Sequence, residues 1–117
     1  MTGTIEGVRT LLVPVTDLAA SRAMYEALLG GPPQTDSEYY VGFDAAGQHI
    51  GLLPGGGPQG MTSPVPCWHV TDIEERLARM TAAGGVVREP VHEVGGGRRV
   101  ATVADPNGNV VGLIQDQ

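Results

Sequence analysis

The sequence predicts an α+β domain in which one strand–helix–strand unit is used twice. Three observations predict it. Asp105-Pro106-Asn107-Gly108-Asn109 suits a type I turn closing on a left-handed residue, with Pro supplying the fixed φ and Gly taking the positive one. Residues 100–103 and 110–114 on either side are rich in β-formers, so the stretch reads as a β-hairpin. A weaker copy runs from Asp44 to Leu53, with Asp, Gly, Gly and Leu at the same places. Around both copies the pattern is strand, helix, then two or three strands.

In chain order, residues 8–15 read as a strand through Leu11, Leu12, Val13 and Val15, with Pro14 marking an edge position or a strand end. Thr16 and Asp17 cap a helix, Leu18–Leu29, that stops at Gly30-Gly31 before Pro32-Pro33. Leu18, Ser21, Tyr25 and Leu28 recur at helical spacing as its expected buried stripe. Residues 38–43, carrying Tyr39, Tyr40 and Phe43, form a second expected strand, and residues 49–53 follow after the Asp44 turn. A short strand between Pro33 and Ser37 has little support. Residues 54–64 are rich in Pro and Gly and read as a crossing loop inside one domain, 1–117, with module one at about 5–54 and module two at about 65–117.

The second copy opens with a strand, Val65–Val70, holding Trp68 and His69. Thr71 to Glu74 reads as a capping box for a helix that runs to about Ala83 on Ile73, Leu77 and Met80 and ends at Gly84-Gly85. Residues 86–89 read as a strand, 91–97 as a Gly-rich connection, and 98–104 lead into the hairpin. Asp17 and Asp72 are 55 residues apart and Asp44 and Asp105 are 61 apart, so the second copy has six extra residues between helix and hairpin.

A chain of 117 residues with 41% hydrophobic and 17% charged residues is ordinary for a globular domain. The net charge of -6 argues against nucleic-acid binding, which needs a basic face. All seven basic residues are Arg, a bias with no functional reading. The single cysteine, Cys67, excludes an intramolecular disulfide and fits a reducing compartment. Residues 1–9 lack the pattern of a signal peptide, and no apolar stretch approaches the ~20 residues that span a bilayer. The expectation is a cytoplasmic protein.

Two βαβββ modules with these signatures resemble the vicinal oxygen chelate superfamily, which includes glyoxalase I, bleomycin-resistance proteins and extradiol dioxygenases. The first half carries Val15-x-Asp17-Leu18-x-x-Ser21-x-x-Met24-Tyr25-x-x-x-Leu29-Gly30, with Met where Phe is usual. The second carries Val70-x-Asp72-Ile73, Gly84-Gly85 and the Asp105 turn. The resemblance implies a U-shaped, partly open sheet with helices on its convex side, a concave cleft, and a homodimer. It does not imply one activity.

In metalloenzymes of that superfamily, ligands stand seven residues before the Asp that opens each helix and seven after each turn Asp. Those places hold Thr10, Val65, Gly51 and Gly112 here. A divalent ion needs three or four convergent N, O or S donors. These residues cannot supply them, so neither a metal nor another cofactor is expected. His49, Cys67, His69 and His92 are the remaining soft candidates, and Cys67 and His69, two apart on a strand, make an unspecific pair. No nucleophile–base arrangement or phosphate loop is present, and a lone His69 base would lack an identified partner.

Strand alternation places Thr10, Leu12, His49, Gly51, Leu53, Val65, Cys67, His69, Val110 and Gly112 on the concave side, and Leu11, Val13, Val15, Ile50, Leu52, Trp68, Val70, Val111 and Leu113 toward the helices. Trp68 is therefore expected in the core and becomes a ligand platform only if its strand is shifted by one residue. At least one of Tyr39, Tyr40 and Phe43 lines the cleft, and Met61 could cover a ligand. Arg98 and Arg99 either flank the cleft mouth or are merely solvated, and solvation is the expectation. Such a cleft, apolar with a few Tyr and His polar groups, suits a flat or hydrophobic small molecule. The leading expectation is a metal-free small-molecule-binding protein, with an aromatic antibiotic as one candidate ligand. The alternatives are a metal-dependent lyase, isomerase or dioxygenase with displaced ligands, and a catalytically silent subunit or regulatory ligand sensor.

Overall fold

The computed structural model describes residues 4–57 and 60–117, so Pro58 and Gln59 of the expected crossing loop lie outside the described residues. The element order is β1 (Ile5–Val15), α1 (Leu18–Leu29), β2 (Thr35–Asp36), β3 (Val41–Ala45), β4 (Gln48–Pro54), β5 (Val65–Val70), α2 (Ile73–Ala82), β6 (Val86–Gly95), β7 (Arg98–Ala104) and β8 (Val110–Gln115). This is the expected α+β fold, a strand–helix–three-strand order repeated. Among the described residues, those of 10–65 form one compact unit, and Pro66–Gln117 together with 4–9 form the other.

In the first unit the strand order is β2-β3-β4-β1, with β1 and β4 parallel and the β2-β3 and β3-β4 pairs antiparallel. Leu11 pairs with Ile50, and Val13 with Leu52; Phe43 pairs with Ile50 and Val41 with Leu52. Val13, Val15, Val41, Phe43, Ile50 and Leu52 pack with Leu18, Tyr25 and Leu29 of α1. The alternation of faces therefore holds. Asp17 caps α1 by accepting the Ala20 N–H at 3.1 Å, and Gly30 closes it with φ 82 and an N–H donated to the Glu26 carbonyl.

Three expectations change in this unit. Leu29, not Leu28, completes the helix stripe: it lies close to three whole turns after Leu18, whereas Leu28 is rotated out and 70% exposed. The strand expected over 38–43 begins only at Val41, because the Ser37 hydroxyl accepts the N–H groups of Tyr39 and Tyr40 and holds them in a turn. The short strand raised between Pro33 and Ser37 is present, as Thr35–Asp36 ahead of that turn. Finally, Asp44 is a strand residue rather than a turn residue. Ala46 and Gly47, at φ 53 and 77, make a two-residue connection of the kind that matches strand twist.

The second unit has the order β5-β8-β7-β6, with β5 and β8 parallel and the other pairs antiparallel. Val70, Ile73, Ala101 and Leu113 form its core with Leu77, Met80 and Val91. The hairpin at Asp105 forms as expected: its carboxylate accepts from the N–H of Asn107 and Asn109, and Gly108 takes φ 88. Other expectations are corrected. Asp72, at φ 56, precedes α2 without a side-chain cap; the Thr71 hydroxyl accepts the Thr4 N–H, the Gln115 amide accepts the Ile73 N–H, and Glu74 pairs with Arg99 at 2.7 Å. So no capping box forms, and Arg99, like Arg98, is ion-paired rather than merely solvated. The stretch expected as a Gly-rich connection is mostly strand, since β6 tolerates Pro90 through irregularities in its pairing with β7. Trp68 does lie in register with Leu113, yet it is 39% exposed and is not core.

Candidate functional site

On the face of the first unit away from α1, Thr10, Leu12, His49 and Gly51 come together, because Thr10 pairs with His49 and Leu12 with Gly51. Asp44 pairs with His49 and Gly42 with Gly51 across β3 and β4. A carboxylate can only accept, so the 2.7 Å contact with Asp44 places a proton on His49 Nδ1, and the other ring nitrogen, Nε2, shares a hydrogen bond with the Tyr40 hydroxyl. The two rings lie within 13° of parallel. Glycine makes this possible. A Cβ on Gly42 would meet the His49 ring at 2.7 Å, and one on Gly51 would meet the Tyr40 ring at 2.8 Å and overlap its hydroxyl oxygen. The phenol of Tyr40 therefore fills the space that a side chain at position 51 would take.

The corresponding face of the second unit carries Cys67, His69, Arg98 and Gly112. Cys67 pairs with Gly112, and its sulfur stands 2.7 Å from where a Gly112 Cβ would be. Burial pushes the Cys67 thiol up to about 11, with Arg98 opposing in part, so the sulfur is a neutral thiol at physiological pH. Just beyond β8, Asp116 receives Arg98 through two bonds of 2.6 and 3.2 Å and lies 3.4 Å from His69 Nδ1. The Arg98 bond holds the Asp116 carboxyl below its ordinary range. Desolvation lowers the pKa of His69 and outweighs the attraction of Asp116.

The other sequence-selected residues have varied settings. Leu53 and Val65 are buried, Met61 is half-buried in its loop, and Tyr39 is 77% exposed in the Ser37 turn and contributes nothing to the Tyr40 cluster. Sequence reasoning missed Asp44 and Asp116, and it favoured a solvated Arg98 over one at the cleft mouth. The paired glycines at 42 and 51 were a usable signal for the first, since Gly inside strands marks close approach of another group. Nothing near Asp116 distinguishes it in the sequence.

A divalent ion does not fit the superfamily's usual ligand positions here. Thr10, Gly51, Val65 and Gly112 offer one side-chain hydroxyl, and the volumes beside the two glycines are taken by Tyr40 and Cys67. Among the described residues, no three His, Cys, Asp or Glu side chains are grouped to hold a metal.

Among the described residues, eight strands and two helices in repeated βαβββ order, with glycines on the sheet faces, define a duplicated α+β scaffold. The family model of the Glyoxalase/Bleomycin resistance protein/Dioxygenase superfamily matches residues 7–113, and the chain belongs to that superfamily. It is 28% identical over 112 residues to CFP32, named provisionally as a glyoxylase, from Mycobacterium tuberculosis and Mycobacterium bovis; the match takes in 86% of this chain. The chain spans about two fifths of the length of those curated relatives, 42%. The Mn(II)-bound glyoxalase of Novosphingobium aromaticivorans shares the fold at TM-score 0.75 and 19% identity, covering 97% of this chain and 40% of that one. Methylmalonyl-CoA epimerase of M. tuberculosis does so at TM-score 0.74 and 14% identity, covering 100% and 92%. A superfamily member from Vibrio splendidus aligns at TM-score 0.72 and 18% identity, covering 97% and 100%. Among the described residues, no helix is long and apolar enough to cross a membrane.

Proposed function

We propose that this chain binds a small organic molecule on the sheet faces that carry its paired glycines, without a divalent ion at the superfamily's usual ligand positions. The observation that supports this most is the filling of the Gly51 and Gly112 spaces by Tyr40 and Cys67. Carboxylates at those places would grip an ion; a phenol, an imidazole and buried apolar groups instead suit an organic ligand with a few orienting hydrogen bonds. An aromatic antibiotic is one candidate class, on the strength of the bleomycin-resistance branch of the superfamily alone. Action in the cytoplasm accords with the lone buried thiol. A homodimer is proposed as well, because the edge strand β6 leaves Val86 60%, Val87 36% and Val94 54% exposed.

A thermal-shift screen against aromatic antibiotics and planar metabolites tests the proposal. A ligand at a hundred times its Kd adds about 2.7 kcal/mol, which raises the Tm of a domain this size by several degrees. Shifts produced by divalent metals and by no organic compound would reverse the reading toward a metal-dependent enzyme.

A further inference from the structure

We infer that Asp44, His49 and Tyr40 form a proton relay that receives the proton of an acidic hydroxyl, an enol or an electron-poor phenol, on the bound molecule. This rests on the small-molecule reading and narrows its ligand class. The three groups are joined in series: the Asp44 carboxylate accepts the His49 Nδ1–H, and His49 Nε2 is hydrogen-bonded to the Tyr40 hydroxyl, which donates to it whenever Nε2 carries no proton. The phenol oxygen lies against Gly51, on the face that is turned away from α1 and lacks a side chain there. Asp44 at the other end is 61% exposed, while His49 is only 28% exposed, so the series runs from the sheet face toward solvent.

The exchange conserves every atom and charge. The ligand hydroxyl gives its proton to the Tyr40 oxygen as Tyr40 passes its own to His49 Nε2. The products are a ligand oxyanion, hydrogen-bonded by the renewed Tyr40 hydroxyl, and an imidazolium facing the Asp44 carboxylate. Only O–H and N–H bonds change, and no oxidant or reductant is required. Acid strength selects the ligand: an unsubstituted phenol is roughly a thousandfold or more weaker as an acid than a free imidazolium, whereas electron-poor phenols and stabilised enols are comparable to it.

The test compares 4-nitrophenol with its methyl ether, 4-nitroanisole, at about pH 6.8, just above the ordinary imidazole pKa of about 6.5, where an imidazole can still accept a proton and much of the free nitrophenol is still neutral. Calorimetry reads affinity and the visible nitrophenolate band reads proton transfer, for the wild-type chain, Y40F and H49Q. The wild type is expected to bind the phenol about tenfold or more tightly than the ether, with the nitrophenolate band appearing on binding. Y40F keeps the ring beside Gly51 and is expected to lose that preference. H49Q keeps the phenol and is expected to lose the band. Equal affinity for phenol and ether, or an undiminished band in H49Q, would overturn the relay while leaving small-molecule binding intact. If neither probe binds but the thermal-shift screen finds other ligands, the relay falls alone. If that screen also finds none, the binding reading falls with it.

Discussion

At Gly51 in the first unit the missing side chain is replaced by the Tyr40 phenol; at Gly112 in the second it is replaced by the Cys67 thiol. The phenol comes from the Ser37 turn and is hydrogen-bonded to an imidazole whose partner carboxylate is exposed. The thiol comes from the adjacent strand, is 4% exposed, and stays neutral through burial. Equivalent gaps in a duplicated scaffold have thus been filled by a polar group connected to solvent and by a small desolvated one. Duplication preserves the backbone positions, and the neighbours that happen to reach them decide the chemistry.

The comparison can be broken most forcefully at Gly51. A Cβ there meets ring atoms of Tyr40 as well as its hydroxyl, so G51A is expected to cost about 3 kcal/mol of stability in urea denaturation. In a Y40A background the same change should cost less than about 1 kcal/mol. Equal costs in both backgrounds would show that Tyr40 does not fill the gap.

The Cys67 side is sharpened by alkali. Its folded-state pKa is raised from 9.0 to about 11, so above the unfolded value the unfolded chain loses a proton that the folded chain keeps. Stability must then fall as pH rises between these values, by roughly 2–3 kcal/mol at most. C67A, assayed by denaturation across the same range, should lack that fall. G112A is expected to be milder than G51A, about 1–2 kcal/mol, because the single Cys67 sulfur can rotate away; C67A should relieve it.

The smallest effect belongs to His69. Its pKa is lowered by burial, so between its folded value and the ordinary 6.5 the unfolded state binds more protons. Its contribution to stability is complete above that ordinary value and is lost as pH falls through the folded one. A Tm–pH profile of H69Q should lack this acid-side decline, and parallel profiles for H69Q and the wild type would show that His69 titrates alike in both states.

Features written within a few residues of one another were legible in the sequence. The Asp105 hairpin, the Asp17 cap, the Gly30 stop and the two-faced alternation of β1 and β4 all follow from turn chemistry and side-chain period. Features decided by distant partners were not. Thr71 and Glu74 match a capping box, yet each finds a tertiary partner, Thr4 and Arg99 respectively. Asp44 matches the Asp105 turn by alignment, but the two-residue Ala46-Gly47 connection leaves it in the strand beside His49. The glycines of 91–97 read as a connection, whereas most of that stretch belongs to an irregularly paired edge strand. The candidate site was half visible: alternation brought His49, Gly51 and Thr10 to one face, while the arrival of Tyr40 depended on the Ser37 turn.

With Tyr40 and Cys67 occupying the spaces beside Gly51 and Gly112, the proposed function expects no divalent ion to be held there. Elemental analysis of the chain purified without chelators, followed by calorimetric titration with Mn(II), Zn(II), Ni(II) and Fe(II), tests it most directly. The expected result is far less than one equivalent of any divalent metal and no saturable heat; a tightly held stoichiometric ion would contradict it.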